Sequence, residues 1–281
     1  MNFFLKYVLR ILILAIGLIG NLIGIIIFSR KSFRKKIKSC LLYILVASNN
    51  MIYLVFRILV DLLINFEIKL RTLSNTSCKL IRYLDFVIGP ISSWLLVFIS
   101  IEKFISIKYP SRKHILRSTK NQIAFFICIL IYNSVFYLPV YFYYDLFTVN
   151  NSTYCALIGD HQGLIVNTMN FINKIVLPEF LMVLSSILLI YFVYQSRNTT
   201  NRSFVKDKRM VISLVVLNLN YIIFSLPLTI AYYSNSSPFI ITFTFYLFYS
   251  NYAVNFYNLL ITNSLFRKTF FELIRKKFRF H

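Results

Sequence analysis

The sequence predicts an all-α membrane protein: a seven-transmembrane helix bundle followed by a short amphipathic eighth helix. Three observations carry this reading. The chain is 58% hydrophobic and 18% aromatic but only 14% charged, whereas soluble domains carry about a quarter charged residues. Seven predominantly apolar runs each reach the roughly 20 residues that a helix needs to cross a hydrocarbon core. The net charge of +22, from 31 Lys+Arg against 9 Asp+Glu, sits in short clusters between those runs. A nucleic-acid-binding domain would spread it over one polar face, so no nucleic-acid partner is expected.

The runs lie at about 8–29, 40–64, 79–107, 121–143, 172–195, 210–233 and 239–262, within a single domain covering 1–281. The first follows a basic start, as a secretion signal would. From Val8 to Phe28 it is about 21 residues long and ends in Ser29-Arg30-Lys31 without a small-residue cleavage site. A signal core is roughly 7–15 residues, so this run is read as a retained span. Prolines at 90, 139, 178 and 227 interrupt four of the spans, each removing a backbone donor and favouring a kink. After the last span comes a polar break, Thr262-Asn263-Ser264. Residues 264–278 then space Leu265, Phe266, Phe270, Phe271 and Ile274 at helical intervals between basic residues. That pattern predicts a helix lying on the membrane surface.

Orientation follows from the placement of Lys and Arg. Segments 30–38, 103–120, 197–209 and 267–279 hold 6, 6, 5 and 6 of them, 23 of the 31. These segments alternate with the others, so they are expected in the cytosol, with the N-terminus outside. They should also attract anionic membrane lipids, at about 1 kcal/mol per residue near the surface. Glycosylation sequons at Asn75, Asn151 and Asn235 fall in the predicted outer loops, although Asn198 and Asn201 match the pattern on the inner side.

Several classes are disfavoured. Four cysteines without a CxxC pair give neither a disulfide scaffold nor a redox motif. The histidines, His114, His161 and His281, are far apart, so no metal site is expected, and no cofactor. No nucleophile–base pair suggests an enzyme. No internal repeat links the first spans to the later ones, which argues against a transporter.

Motifs narrow the choice among seven-span proteins. Span 1 holds Gly20-Asn21. Span 3 begins near Cys78 and ends in Ser100-Ile101-Glu102-Lys103-Phe104, with Ile107-Lys108-Tyr109-Pro110 following. Cys78 and Lys103 are 25 residues apart, or about 37 Å of helix, enough to reach opposite interfaces. Span 5 has Pro178, span 6 has Phe224-Ser225-Leu226-Pro227, and span 7 runs Asn251 through Asn255-Phe256-Tyr257-Asn258-Leu259 to Phe266-Arg267. In order and spacing these segments resemble the rhodopsin-like G-protein-coupled receptors, from about residue 12 to 275. The Asn-Phe form in span 7 resembles invertebrate FMRFamide-type neuropeptide receptors.

The resemblance implies a receptor for an extracellular ligand, with a peptide favoured, that signals to a heterotrimeric G protein from the plasma membrane. It implies a disulfide between Cys78 and Cys155, leaving Cys40 and Cys128 as plain buried residues. It places Asp85 where some receptors ion-pair a cationic ligand, with Lys174 and the Arg57/Asp61 pair in the same outer half. Two readings of Asp85 stay open, ligand contact and internal pairing with Lys174; Arg57 and Asp61, one turn apart, could neutralise each other. Glu102 and Lys103 stand for the family's Asp-Arg pair at the cytosolic face, where the acid restrains the base until activation. Asp207 either pairs with Lys103 or is solvated among Lys206, Lys208 and Arg209, and Asn255 belongs to the switch segment. Asn21, Asn49, Ser92 and Asn251, with Asn255, carry over onto the central polar site. With Asn49 in place of the family's carboxylate, a neutral cluster is expected there rather than a sodium site.

The departures are Asn49, the absence of Trp from spans 4 and 6 (Trp94 is the only one), and Ser186 and Leu259 where the activation tyrosines usually sit. They keep open a receptor-like protein that has lost signalling; a small transporter is the alternative from another class.

Overall fold

The protein was analysed as a computed structural model that describes residues 3–35, 37, 39–65, 70–109, 118–150, 152–195, 202–234 and 237–278. Among these, seven long helices form a bundle: α1 (Phe3–Ser29), α2 (Cys40–Asn65), α3 (Asn75–Lys108), α4 (Thr119–Tyr143), α5 (Asp160–Gln195), α6 (Arg202–Tyr233) and α7 (Pro238–Thr262). An eighth, α8 (Ser264–Phe278), follows α7 after a single residue outside helix, Asn263.

Six of the seven, α1 to α6, are long and apolar enough to cross a membrane by length and composition. Helix α7 is diluted by Thr, Tyr, Ser and Asn, yet its 25 residues pack between α6 and α1. The exposed surface supports a lipid setting. In α1, Ile11, Leu12, Ile16, Ile19, Leu22 and Ile26 form an outward apolar stripe, and α5 presents Phe180, Val183, Leu184, Ile187 and Ile190 likewise. A soluble bundle would bury such stripes.

Close approach fixes α1. A Cβ on Gly17 would come within 2.4 Å of a Leu54 methyl and 3.2 Å of Ala253, so a larger residue there would have to displace Leu54 for α1 to nest this closely against α2 and α7.

Breaks in the helices coincide with proline. Helix α3 comprises Asn75–Ile88 and Ile91–Lys108, joined at Gly89-Pro90. In α5, residues Phe171–Val176 form a π turn just before Pro178. Pro178 has no N–H to offer the Lys174 carbonyl four residues back; the Tyr221 hydroxyl of α6 donates to that carbonyl instead, at 2.8 Å. The wide turn buries three consecutive side chains, Asn173, Lys174 and Ile175. Asn173 accepts from Trp94 and Tyr132 and donates to Asn133, joining α3, α4 and α5.

Between α4 and α5 lies a two-stranded antiparallel hairpin, β1 (Tyr144–Val149) and β2 (Ser152–Leu157), with Leu146 opposite Cys155. Asn150 adopts a left-handed φ of 49° at its tip, a conformation asparagine tolerates. The disulfide Cys78–Cys155 ties β2 to the start of α3. Cys40 is buried; Cys128, expected to be buried, is instead exposed on the outside of α4.

At the other end, Asn263 caps α8 by accepting from the backbone of Leu265 and Phe266, both at 3.1 Å. Phe266 is fully buried among Phe28, Phe33 and Phe256, while Phe271 and Ile274 stay exposed. The helix is therefore docked by Phe266, with Phe270 packed beside it on Phe256, and keeps an exposed apolar edge.

Candidate functional site

At the hairpin end of the bundle a cavity of about 200 Å³ opens among α2, α3, α5, α6 and α7. Its charged lining is Arg57, Arg82, Asp85 and Lys174, and its aromatic lining includes Tyr53, Phe86, Tyr144, Phe245, Phe248 and Tyr249. Asp85, Lys174 and Arg57, which the sequence reading grouped together, line this one cavity, and their pairing is not the one weighed between Asp85 and Lys174. Asp85 Oδ2 lies 3.0 Å from Arg57 Nη1, and Arg57 Nε donates to the Tyr249 hydroxyl at 2.7 Å. Lys174 is not the partner of Asp85: its ammonium donates to the Tyr53 hydroxyl at 3.2 Å and lies over the Tyr53 and Phe248 rings. The reason is reach. Arg57 projects its long fork from α2 towards α3, whereas the π turn aims Lys174 at the aromatic wall.

Asp61 does not simply neutralise Arg57, which stands 4.0 Å away. It also faces Arg10 at 3.7 Å and Arg71 at 3.9 Å. Arg71 lies outside the spans in a short turn, Leu70–Thr72. Burial, followed by the neighbouring Arg82 and Arg57, pushes its guanidinium down to about 10, against the pull of Asp85 and Asp61.

In the middle of the bundle the predicted polar set divides. Asn49 donates to Ser92 at 2.7 Å, and Ser92 donates to Asn50 at 2.6 Å, joining α2 to α3. Asn21 belongs elsewhere: it bonds the Gly17 and Tyr252 carbonyls and ties α1 to α7. Asn251 is buried in α7, and Asn255 lines a void of about 20 Å³ beside Asn21, roughly the room one water needs.

At the opposite end, Glu102 and Lys103 lie near the end of α3, buried. They are 0% and 3% exposed, because the α1–α2 connection lies over them. Ser39 from that connection donates to Glu102 Oε2 and accepts from Lys103 Nζ at 2.7 Å. The carboxylate itself is 3.5 Å from the ammonium. The hydroxyl thus completes a closed acid–hydroxyl–base relay. The side chain of Asp207, the proposed resting partner of Lys103, lies outside the described residues. Asn75 is exposed at the start of α3; Asn151 and Asn235 also lie outside the described residues.

Sequence reasoning missed four participants. Ser39 and Asn50 were ordinary polar residues in their segments. Asn218 of α6 donates to Ser100 of α3 and Ser186 of α5, each at 3.0 Å. Glu179 accepts from Ser225, next to Pro227. The only signal for the last two was a polar residue within an apolar run.

The model of the family described as 7 transmembrane receptor (rhodopsin family) matches residues 20–257. The chain is 26% identical over 147 residues to galanin receptor 2b of Danio rerio, covering 50% of this chain and 39% of the relative. It is 25% identical over 173 residues to probable G-protein coupled receptor 19 of Homo sapiens, covering 57% of this chain and 40% of that protein. The chain therefore spans about two-fifths of the length of these curated relatives. The match reaches from Gly20-Asn21 to the Asn-Phe-Tyr segment of α7 and takes in every helix between. The chain is a multi-pass membrane protein and belongs to the rhodopsin family of seven-transmembrane receptors.

Proposed function

We propose that the chain is a G-protein-coupled receptor of the plasma membrane. It binds an extracellular ligand in the cavity of Asp85 and Lys174 and signals from the Glu102–Lys103 end to a heterotrimeric G protein. The observation that carries this reading is α3 itself: one helix holds Asp85 in the cavity wall and Glu102 and Lys103 in the closed relay. The two are 17 residues apart, about 25 Å of helix. A ligand that repacks the outer half can then bias a two-state bundle at its inner end. The Lys/Arg distribution supports an extracellular N-terminus, a cytosolic C-terminus and anionic lipid around the basic segments. The relative named a galanin receptor supports a peptide ligand. So does the likeness of the Asn255-Phe256 segment to FMRFamide-type receptors.

The test is nucleotide exchange on purified heterotrimeric G proteins of several classes, with the receptor in lipid nanodiscs and no ligand added. Glu102→Gln removes the charge that holds Lys103 and should raise basal exchange several-fold. Lys103→Met should abolish the rise when combined with it. Exchange at the level of empty nanodiscs for the native receptor and Glu102→Gln alike, with every G protein, would refute signalling.

A further inference from the structure

We infer that the outer cavity is built to receive an anionic ligand group, a carboxylate seated between Lys174 and Arg82, and that Asp85 positions Arg57 rather than anchoring a cation. The inference rests on the receptor reading for the identity of the cavity and deepens it by naming the ligand class.

The first argument is charge. Three cations and one carboxylate line the cavity. That carboxylate is engaged through one oxygen, by Arg57 at 3.0 Å, and its other oxygen is buried without a hydrogen-bond partner. Asp61, the next nearest acid described, faces three arginines at once, Arg10, Arg57 and Arg71. Among the described residues neither Lys174 nor Arg82 stands within ion-pair distance of an acid.

The second argument is how those two cations are held. Lys174 is 9% exposed, yet its ammonium bonds a neutral hydroxyl and lies over two ring faces, with Asp85 attracting it only from beyond ion-pair distance. The Arg82 guanidinium lies over the Tyr144 ring at 5.1 Å, and its buried Nε lacks a hydrogen-bond partner. Buried polar groups are normally paired, so a buried ammonium left with π faces and a half-buried guanidinium with an orphaned inner donor mark a place that an anion fits.

The third argument is selectivity between ligand classes. An ammonium brought to Asp85 would gain one attraction and face Arg57, Arg82 and Lys174 in return. A carboxylate has two oxygens, one for the ammonium and one for the guanidinium fork. The aromatic wall suits an apolar group beside it. The cavity's 200 Å³ is below the roughly 300–1,000 Å³ of sites that enclose a whole drug-sized ligand. Only one end or one side chain of a peptide would enter.

The experiment uses the full chain in lipid nanodiscs and four capped peptides, read as affinity from the shift of the thermal midpoint with concentration. They are Ac-Phe-Asp-Phe-amide, its Asn and Lys analogues, and Ac-Phe-Asn-Phe with a free C-terminal carboxylate. At least one carboxylate probe should bind about tenfold tighter than the Asn amide, as the loss of a charge-assisted hydrogen bond implies. Which of the two does so distinguishes a side-chain carboxylate from a terminal one. The Lys probe should bind weakest. Lys174→Met and Arg82→Gln should each reduce the preferred probe to the level of the Asn amide; should the first not fold, the second, nearer the mouth, still decides. Equal binding of acidic and neutral probes, preference for the Lys probe, no binding by any probe, or acid preference unchanged in both variants would each overturn the proposal. These outcomes need no G protein, so they stand apart from the exchange assay that tests signalling.

Discussion

The two ends of the bundle handle buried charge in opposite ways. At the end that carries Glu102, that acid, Ser39 and Lys103 are linked in one relay, with Ser106 against the second carboxylate oxygen. At the hairpin end, Arg57 and Asp85 are paired and three arginines share Asp61, while Lys174 and Arg82 rest against neutral partners, so positive charge is in surplus. A closed network favours one conformation, because opening it exposes an acid and a base together. An open surplus lowers the stability of the empty state and is relieved when an anion arrives. The difference fits a molecule that listens at one end and is latched at the other.

Removing Asp85 gives the largest effect expected from this contrast. Asp85→Asn takes from the Arg57 guanidinium its 3.0 Å partner and leaves it only Asp61 at 4.0 Å; a buried charge stripped of every counter-ion costs about 3–5 kcal/mol, so the loss should be about 2–3 kcal/mol. Glu102→Gln should cost less, since the amide oxygen can still accept from Ser39. Adding Arg57→Met to Asp85→Asn should recover most of the loss, whereas adding Lys174→Met should recover less. Thermal midpoints of the four proteins decide it. Equal rescue by both second changes would mean that Asp85 serves Lys174 as much as Arg57.

A smaller effect lies between the two ends. Asn218 binds α6 to α3 and α5 through Ser100 and Ser186, where Ser186 takes the place of one of the family's activation tyrosines. Asn218→Leu removes two buried hydrogen bonds at roughly 1 kcal/mol each. Stability, read from the thermal midpoint, should fall by about 2 kcal/mol, and basal nucleotide exchange should rise. A fall without any rise would make the node a packing element rather than part of the latch.

Much of the architecture was legible because lipid imposes a length and a composition that show in one dimension. The disulfide partners were legible only through the resemblance to the receptor family, and the eighth helix through the helical spacing of its apolar residues after a polar break. Boundaries were less so: α5 begins at Asp160 rather than 172, since its first turns carry Asp160, His161, Gln162 and Asn167 and fail any apolar criterion. The hairpin was read only as an outer loop with a sequon, although Asn150-Asn151 is a turn signal. The π turn leaves no mark, because one extra residue barely changes the periodicity. Pairing was the least legible. Arg57 has acids at one turn on its own helix and across on α3, and only the packing of α2 against α3 selects Asp85. Ser39 becomes significant only when the first inner connection folds over α3.

The smallest expected effect has the opposite sign. Arg71 is held down to about 10, with burial the largest cause. A base whose folded value lies below its unfolded one binds its proton less tightly in the native state. The unfolded chain therefore carries more protons between about 10 and the ordinary 12.5, and stability rises with pH across that window. Below it the burial penalty is present in full, so at neutral pH Arg71 weakens the fold it belongs to. Arg71→Met keeps an apolar stem and removes the charge, at the expense of the contact with Asp61 at 3.9 Å. The net gain should be about 1 kcal/mol, a rise of ~2–4 °C in the midpoint. It should be equal at pH 7 and pH 9, since both lie below the window. A midpoint lowered by Arg71→Met would mean that the attraction of Asp61 outweighs burial, and that the outer end is better compensated than its other charges imply.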